Sequence, residues 1–461
     1  MNSLNPPAPD FLGEGDGNLS PAREAWAGRY RGPQATALVA RDAAVFLPQA
    51  LSTPCLSAIR AAEGAWLTDA DGRRLLDFHG NAAHTLGYGH PRLLAALRDQ
   101  MTALSFSPRR YTNEVAVLLG ERLRAVAPQE DARILLTTGG SDAIEVALKL
   151  ARLATGRFKT LSFWDAFHGA GFGAASVGGE AHFRSHGLGP LLPGTAHVAP
   201  FACYRCPYGH ADNASCGLAC AAMIRYVLER EGDVAAVIAE PARAVPTLPP
   251  PGFWPLVREA CTAHGALLIF DEIPTGLGRT GHLFASDAWN VVPDITVLGK
   301  GLGGGVLPVA AVVARGALAG AVRAVSIGHY THEKNPLLAR AALTTLEILL
   351  DEDLPARARA LGAHALARLD EMKARHALIG DVRGLGLLLG VEVVADRETR
   401  APDPAAAERV LYHALARGLS FKVSLGNVLT LMPPLTIDQA DLDRALDILD
   451  VSLAQAAGGN S

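Results

Sequence analysis

The 461-residue chain has no uninterrupted apolar run of the roughly 18 residues that a membrane-crossing helix needs, which argues against a bilayer-spanning protein. It has no excess of positive charge either. Its 42 Lys and Arg stand against 46 Asp and Glu, a formal net charge of −4. That balance excludes a nucleic-acid binder working through a broad basic surface. Six cysteines are too few for a disulfide scaffold at this length. The opening MNSLNPPAPDFLGEGDGNLS lacks the basic stretch and apolar segment of a secretory leader, so the expected location is cytoplasmic. There is no internal repeat and no long low-complexity tract. What is present, 49% apolar and 19% charged residues, is the composition of an ordinary globular protein and excludes a disordered chain.

Between about 130 and 315, short apolar or β-branched runs alternate with helical patterns. The expected strands are Arg133–Thr137, Phe158–Phe163, Val234–Ala239, Ala266–Asp271, Asp294–Leu298 and Val309–Ala314, with helices over Asp142–Ala154 and Phe253–His264. Near-continuous apolar strands suit a mostly parallel sheet buried on both faces, and ligands of such sheets bind beyond the strands' carboxyl ends. Past about 345 the rhythm changes. A helix over Ala339–Leu350 is followed by strands over Gly386–Val394 and Val428–Leu431. A final amphipathic helix aligns Leu442, Leu446, Leu449 and Leu453. A hairpin over Ala65–Leu76 and a helix after Pro91 pack with this part. The expected division is a flexible arm (1–30), an N-terminal part of a small α+β domain (31–95), a large α/β domain (96–345) and the C-terminal small domain (346–461).

Three segments carry chemistry. Leu135 to Ala143 (LLTTGGSDA) runs from a strand through glycines into a helix start, where free amides and the helix dipole suit a phosphate. It matches neither the Walker nor the dinucleotide pattern. Asp271 ends a buried strand, a costly place for a carboxylate without a cationic partner. Lys300 ends another strand and enters the glycine-rich Gly301–Gly305 loop; desolvation there gives a lysine the depressed pKa that Schiff-base chemistry requires. A phosphate cradle, a pyridinium partner and a Schiff-base lysine make up the set for pyridoxal phosphate (PLP).

From about Thr68 to Leu453 the sequence resembles the class III aminotransferases, fold-type I PLP enzymes with a large mostly parallel sheet domain and a smaller α+β domain built from both termini. The resemblance rests on Leu76-Asp77 through Leu86-Gly87 to His90-Pro91, Thr138–Ala143 followed by Glu145–Arg152, Phe167-His168-Gly169, and Glu240-Pro241. It rests also on Asp271-Glu272-Ile273 through Gly278–Gly281, Lys300 placed 29 positions beyond Asp271, and Thr331 with Asn335-Pro336. It implies Lys300 and Asp271 as catalytic residues, the latter pairing with the ring nitrogen. It implies cofactor contacts from Gly140, Ser141, Phe167, His168, Glu240 and Ile273. Thr331 would reach the phosphate from the partner of a homodimer with interface active sites.

The chain also departs from the family. Thr430 stands where the family carries its carboxylate-binding arginine, Arg243 replaces a glutamine after Glu240-Pro241, and Pro274 replaces another. An arginine grips a carboxylate bidentately; a threonine does not. Asn81, His84, Arg110, Tyr111 and Arg243 are the candidate substrate contacts, suited to a small anionic amine. The pattern resembles the family's ammonia-lyase and phospholyase branch. The implied reaction eliminates water from a small hydroxylated aminophosphonate and releases ammonia when water hydrolyses the resulting enamine. An aminotransferase with an amine or amino acid donor and a keto acid acceptor, and a phospholyase on an amino-alcohol phosphate, are the alternatives. Finally, Cys203-x2-Cys206 and Cys216-x3-Cys220 have the spacing of a structural zinc site or of reduced thiols, Cys216 and Cys220 standing at helical spacing.

Overall fold

A computed structural model describes residues 20–49, 53–185, 187–212 and 214–458. Their contacts divide them into two units, one of residues 82–85 and 91–357, the other of residues 20–81, 86–90 and 358–458.

The first unit is built on a seven-stranded sheet. Its strands run in the order Arg133–Thr137, Ala310–Ala314, Ile295–Leu298, Leu267–Asp271, Val234–Ala239, Lys159–Phe163, Thr195–Val198. Ala310–Ala314 is antiparallel to both neighbours; the other pairings are parallel. The central strands are continuous apolar runs because both faces are covered. Alternate residues feed two cores. Ile238, Ile269 and Val297 pack under the Gly140–Thr155 helix. Val237, Leu268 and Phe270 pack with Phe253 and Trp254 of the Phe253–His264 helix and with the Ala219–Glu231 helix. Each such fully buried side chain contributes about 1.5–3 kcal/mol. The expected strands lie within one residue of those found.

The direction of these strands positions the site. Arg133–Thr137, Lys159–Phe163, Val234–Ala239, Leu267–Asp271 and Ile295–Leu298 all point the same way. Gly140, Phe167, Glu240, Asp271 and Lys300 therefore follow carboxyl ends on one edge of the sheet, where α/β sheets bind ligands.

In the second unit, Ile59–Glu63, Trp66–Asp69, Arg74–Asp77 and Leu419–Ser420 form one sheet. Ile379–Leu385, Leu388–Asp396, Val428–Leu431 and Lys422–Ser424 form the path of another. Leu442, Leu446, Leu449 and Leu453 of the Gln439–Ala457 helix are buried as their spacing predicts. Two expectations need correction. The strand expected over Gly386–Val394 is found two residues on, at Leu388–Asp396, where a turn at Gly386, φ 58°, joins it to the unexpected partner strand Ile379–Leu385. The expected arm of residues 1–30 lies outside the described residues up to residue 19, and Pro21–Tyr30 beyond it is a helix. Ser20 caps that helix by accepting from the Arg23 N–H, Pro21 opens it, and Trp26 is buried.

Candidate active site

Asp271 closes its strand with its carboxylate wholly inside the protein. Oδ2 lies 2.8 Å from Nδ1 of His168, both side chains being almost fully buried (2% and 0% exposed). Oδ1 accepts the Ile273 N–H at 3.1 Å. The charge is thus held by two donors rather than by water, which is how a buried carboxylate is tolerated. His168 Nε2 is also buried, with no hydrogen-bond partner among the described residues.

Ile273 ties three motifs together. A Cβ at Gly140 would stand 2.8 Å from its Cδ1, and one at Gly299 would stand 3.2 Å from its Cγ2. The helix start, the residue before Lys300 and the turn after Asp271 therefore converge on one side chain, with little room left for a Cβ at either glycine. The Gly140–Thr155 helix opens at Gly139 with no side-chain cap, leaving first-turn amides for an anion. Ser141 Oγ accepts the Ala170 N–H at 3.2 Å, and Gly169 (φ 128°) lies so close that a Cβ would sit 2.3 Å from that oxygen. The Phe167–Gly169 turn is thereby seated on the helix start. The Phe167 ring packs at 4.5 Å on Phe183.

Lys300 is half-buried, with φ 43°, in a short turn entered from Gly299. A non-glycine residue in this region stores of order 1–3 kcal/mol, so the surroundings hold the lysine in place. Part of that support is Ala83–Thr85. A Cβ on Gly301 would stand 2.2 Å from Thr85 Oγ1, and one on Gly305 would stand 3.3 Å from the His84 Cα. Thr85 and the His168–Asp271 contact were missed from the sequence; no local pattern announces either.

The remaining candidates divide. Glu240 is buried, and its Oε2 accepts the Ala244 N–H at 3.3 Å. Arg243 is buried too; one guanidinium nitrogen donates to the Asp165 carbonyl, while Nε is buried with no partner among the described residues. His84 is buried; Asn81, Arg110, Tyr111 and Thr331 are exposed. The stretch holding Arg110 and Tyr111 abuts the stretch holding Thr331. Arg109 Nη2 lies 2.6 Å from His329 Nε2, and Asn113 Nδ2 donates to the Lys334 carbonyl at 2.9 Å. Asn81 and Thr430 belong to the other unit. Asn81 has φ 49° after the Asp77 turn. Thr430 is buried and donates to Ser424 Oγ at 2.9 Å.

The four cysteines line one cavity. Among the described residues no three His, Cys, Asp or Glu side chains are arranged to hold a metal ion. Cys216 precedes the Ala219–Glu231 helix, so the helical spacing read for Cys216 and Cys220 is corrected. Among the described residues no helix is long and apolar enough to cross a membrane.

The buried Asp271, the uncapped glycine-opened helix and the strand-end lysine fit PLP: a ring-nitrogen partner, a phosphate seat and an amine. Comparison with known proteins agrees. The model of the class III aminotransferases matches residues 49–453. An (R)-1-hydroxy-2-aminoethylphosphonate ammonia-lyase of Vibrio splendidus is 44% identical over 97% of this chain and 96% of its own length. A leucine/methionine racemase of Thermococcus litoralis is 38% identical over 86% of this chain and 90% of its own. Among solved structures, a PLP-bound amine transaminase from an uncultivated Pseudomonas species superposes with a TM-score of 0.82 at 33% identity, covering 87% of this chain and 95% of the other. The chain belongs to the class III aminotransferase family, and its cofactor is pyridoxal 5′-phosphate.

Proposed function

We propose that the protein is a PLP-dependent ammonia-lyase that converts (R)-1-hydroxy-2-aminoethylphosphonate to phosphonoacetaldehyde and ammonia. The observation that carries the lyase reading is Thr430. Where the family keeps an arginine for a carboxylate, this chain buries a threonine whose hydroxyl is bonded to Ser424 at 2.9 Å. A transaminase must hold a keto acid acceptor after its amine donor; a lyase has no second substrate to hold. The 44% identity with the Vibrio splendidus ammonia-lyase supports the same choice and suggests the substrate.

When bound, PLP supplies an electron sink for the pair left behind as a C–H bond beside the substrate nitrogen breaks. The chain's residues do the rest. The amides around Gly140 and Ser141 hold the phosphate. Asp271, fixed by His168 and by the Ile273 N–H, keeps a negative charge at the ring nitrogen, with Phe167, Glu240 and Ile273 about the ring. The Lys300 amine removes the proton from the carbon bearing nitrogen and delivers a proton as the neighbouring hydroxyl leaves. Arg243, whose buried Nε has no partner among the described residues, and Arg110 hold the phosphonate, with His84 and Tyr111 shaping the rest. The working form is a cytoplasmic homodimer in which the exposed Thr331 meets the partner's cofactor phosphate.

The deciding assay measures ammonia from the hydroxylated aminophosphonate with no keto acid present. Release that is independent of any keto acid supports the lyase; strict dependence on one refutes it. Arg243→Ala should raise KM more than tenfold, because a charge-assisted contact is worth about 1.5–3 kcal/mol.

A further inference from the structure

The chemistry above uses none of the four clustered cysteines. Cys203, Cys206, Cys216 and Cys220 line one small cavity with Tyr208 and His210, sharing no lining residue with the candidate active site. The cavity lies at the rim of the core around Phe201 and Trp254, on which Tyr208 packs. All four are reduced thiols; Cys220 is buried and the other three are half-buried. The donors are not disposed for a metal among the described residues, but a disulfide needs only two sulfurs. Cys203 and Cys206 flank the turn Tyr204–Arg205 as its first and fourth residues. Such positions keep their Cα atoms within about 7 Å, which overlaps the roughly 4.4–6.8 Å that a disulfide spans. Cys206 also opens the next turn, its carbonyl accepting the Gly209 N–H at 3.0 Å, so the pair sits on a hydrogen-bonded scaffold. Cys220, in the first turn of its helix, has its thiol pushed up to about 11 by burial, which keeps it protonated and slow to exchange.

We propose that Cys203 and Cys206 form a reversible disulfide, a modification site outside the catalytic centre, by exchange with a low-molecular-weight disulfide such as glutathione disulfide. One cysteine thiolate attacks a sulfur of the oxidant and expels one glutathione. The second thiolate attacks the protein sulfur of the mixed disulfide and expels the other. The two cysteines lose two protons and two electrons, and the oxidant becomes two thiols. The new bond closes the turn that precedes Tyr208.

The test equilibrates full-length holoenzyme in buffers of graded reduced-to-oxidised glutathione ratio, quenches with acid, alkylates the remaining thiols and maps tryptic peptides. Arg205 lies between the two cysteines, so trypsin separates them unless a disulfide joins the fragments. The expected result is a joined pair of fragments under oxidising conditions that reverts on adding thiol, with Cys216 and Cys220, which share the 206–225 fragment with Cys206, both still alkylated. In Cys206→Ser, Cys203 should stop at the glutathione adduct. Alkylation of both Cys203 and Cys206 across the whole range overturns the proposal. So does pairing through Cys216 or Cys220, or an equivalent of zinc retained by the purified protein with all four thiols protected.

Discussion

Replacing His168 with Phe tests the arrangement around Asp271. The imidazole donates to a carboxylate at 2.8 Å in a place where neither side chain meets solvent, so no water takes over when the donor is removed. A hydrogen bond to a charged group contributes about 1.5–3 kcal/mol, and His168→Phe leaves Asp271, among the described residues, the Ile273 N–H. One term offsets the loss. His168 Nε2 is buried without a partner among the described residues, and a phenyl ring relieves that cost. The single variant should therefore lose stability near the lower end, about 1.5 kcal/mol, while the pairwise term is recovered whole from a double-mutant cycle with Asp271→Asn. Urea unfolding of the four apo-proteins supplies the cycle. The coupling expected is about 1.5–3 kcal/mol, and a coupling below about 0.5 kcal/mol, no more than unconnected sites show, would refute the reading that His168 fixes Asp271. With PLP bound, His168→Phe should lower kcat far more than it raises KM, since His168 acts on Asp271 rather than on the substrate.

Burial pushes the Glu272 carboxyl up from 4.5 to about 7, against the pull of the Ser286 and Ala285 N–H groups. A carboxyl raised on folding stabilises the fold fully below pH 4.5 and loses that contribution as pH rises through about 7. Wild type should thus lose roughly 3 kcal/mol relative to Glu272→Gln across this window, read from urea midpoints at its two ends; a difference that does not change with pH counts against it. Gly169→Ala places a Cβ 2.3 Å from Ser141 Oγ at φ 128°, a strain of about 1–3 kcal/mol aimed at the phosphate seat, so PLP affinity by absorbance titration should fall at least tenfold. Trp254→Phe removes the 2.8 Å bond from the indole N–H to the Pro241 carbonyl, beneath the turn between Glu240 and Arg243. It should cost about 1–3 kcal/mol in thermal unfolding while the far-UV circular dichroism of the native state stays unchanged.

The fold was legible where burial leaves the strongest mark. Val234–Ala239 and Leu267–Asp271 are buried at every residue, so their apolar runs end where the strands end. The hairpin across Gly386 was not legible, because Gly384 to Leu389 is apolar or glycine on both sides of the turn and carries no polar turn signal. The Pro21–Tyr30 helix had a readable start, Ser20 followed by Pro21, but the Pro- and Gly-rich residues before it suggested a longer arm. For the site, strand-end residues could be named from the motifs alone. Contacts such as His168 with Asp271, 103 positions apart, exist only once the sheet order is known.

On the proposed reading, in which Thr430 stands in place of a carboxylate-binding arginine, the change is more than the loss of a charge. A buried hydroxyl must be paired, and Thr430 is paired with Ser424, itself buried on the neighbouring strand. Each hydroxyl satisfies the other, so the strand closes without a guanidinium. Asn427 reinforces it by donating to the Val393 carbonyl at 2.8 Å. Restoring arginine at 430 alone would orphan Ser424 and put a cation where no carboxylate is hydrogen-bonded, two costs of about 1–3 kcal/mol or more. Thr430 and Ser424 thus act as a coupled pair, and a change at 430 is felt at both. Under the proposed function, in a chain with a net charge of −4 whose field gives an anion no long-range pull, recognition of an anionic amine falls to individually placed cations. Arg243, buried and with a donor unpaired among the described residues, is the one whose desolvated charge would count most.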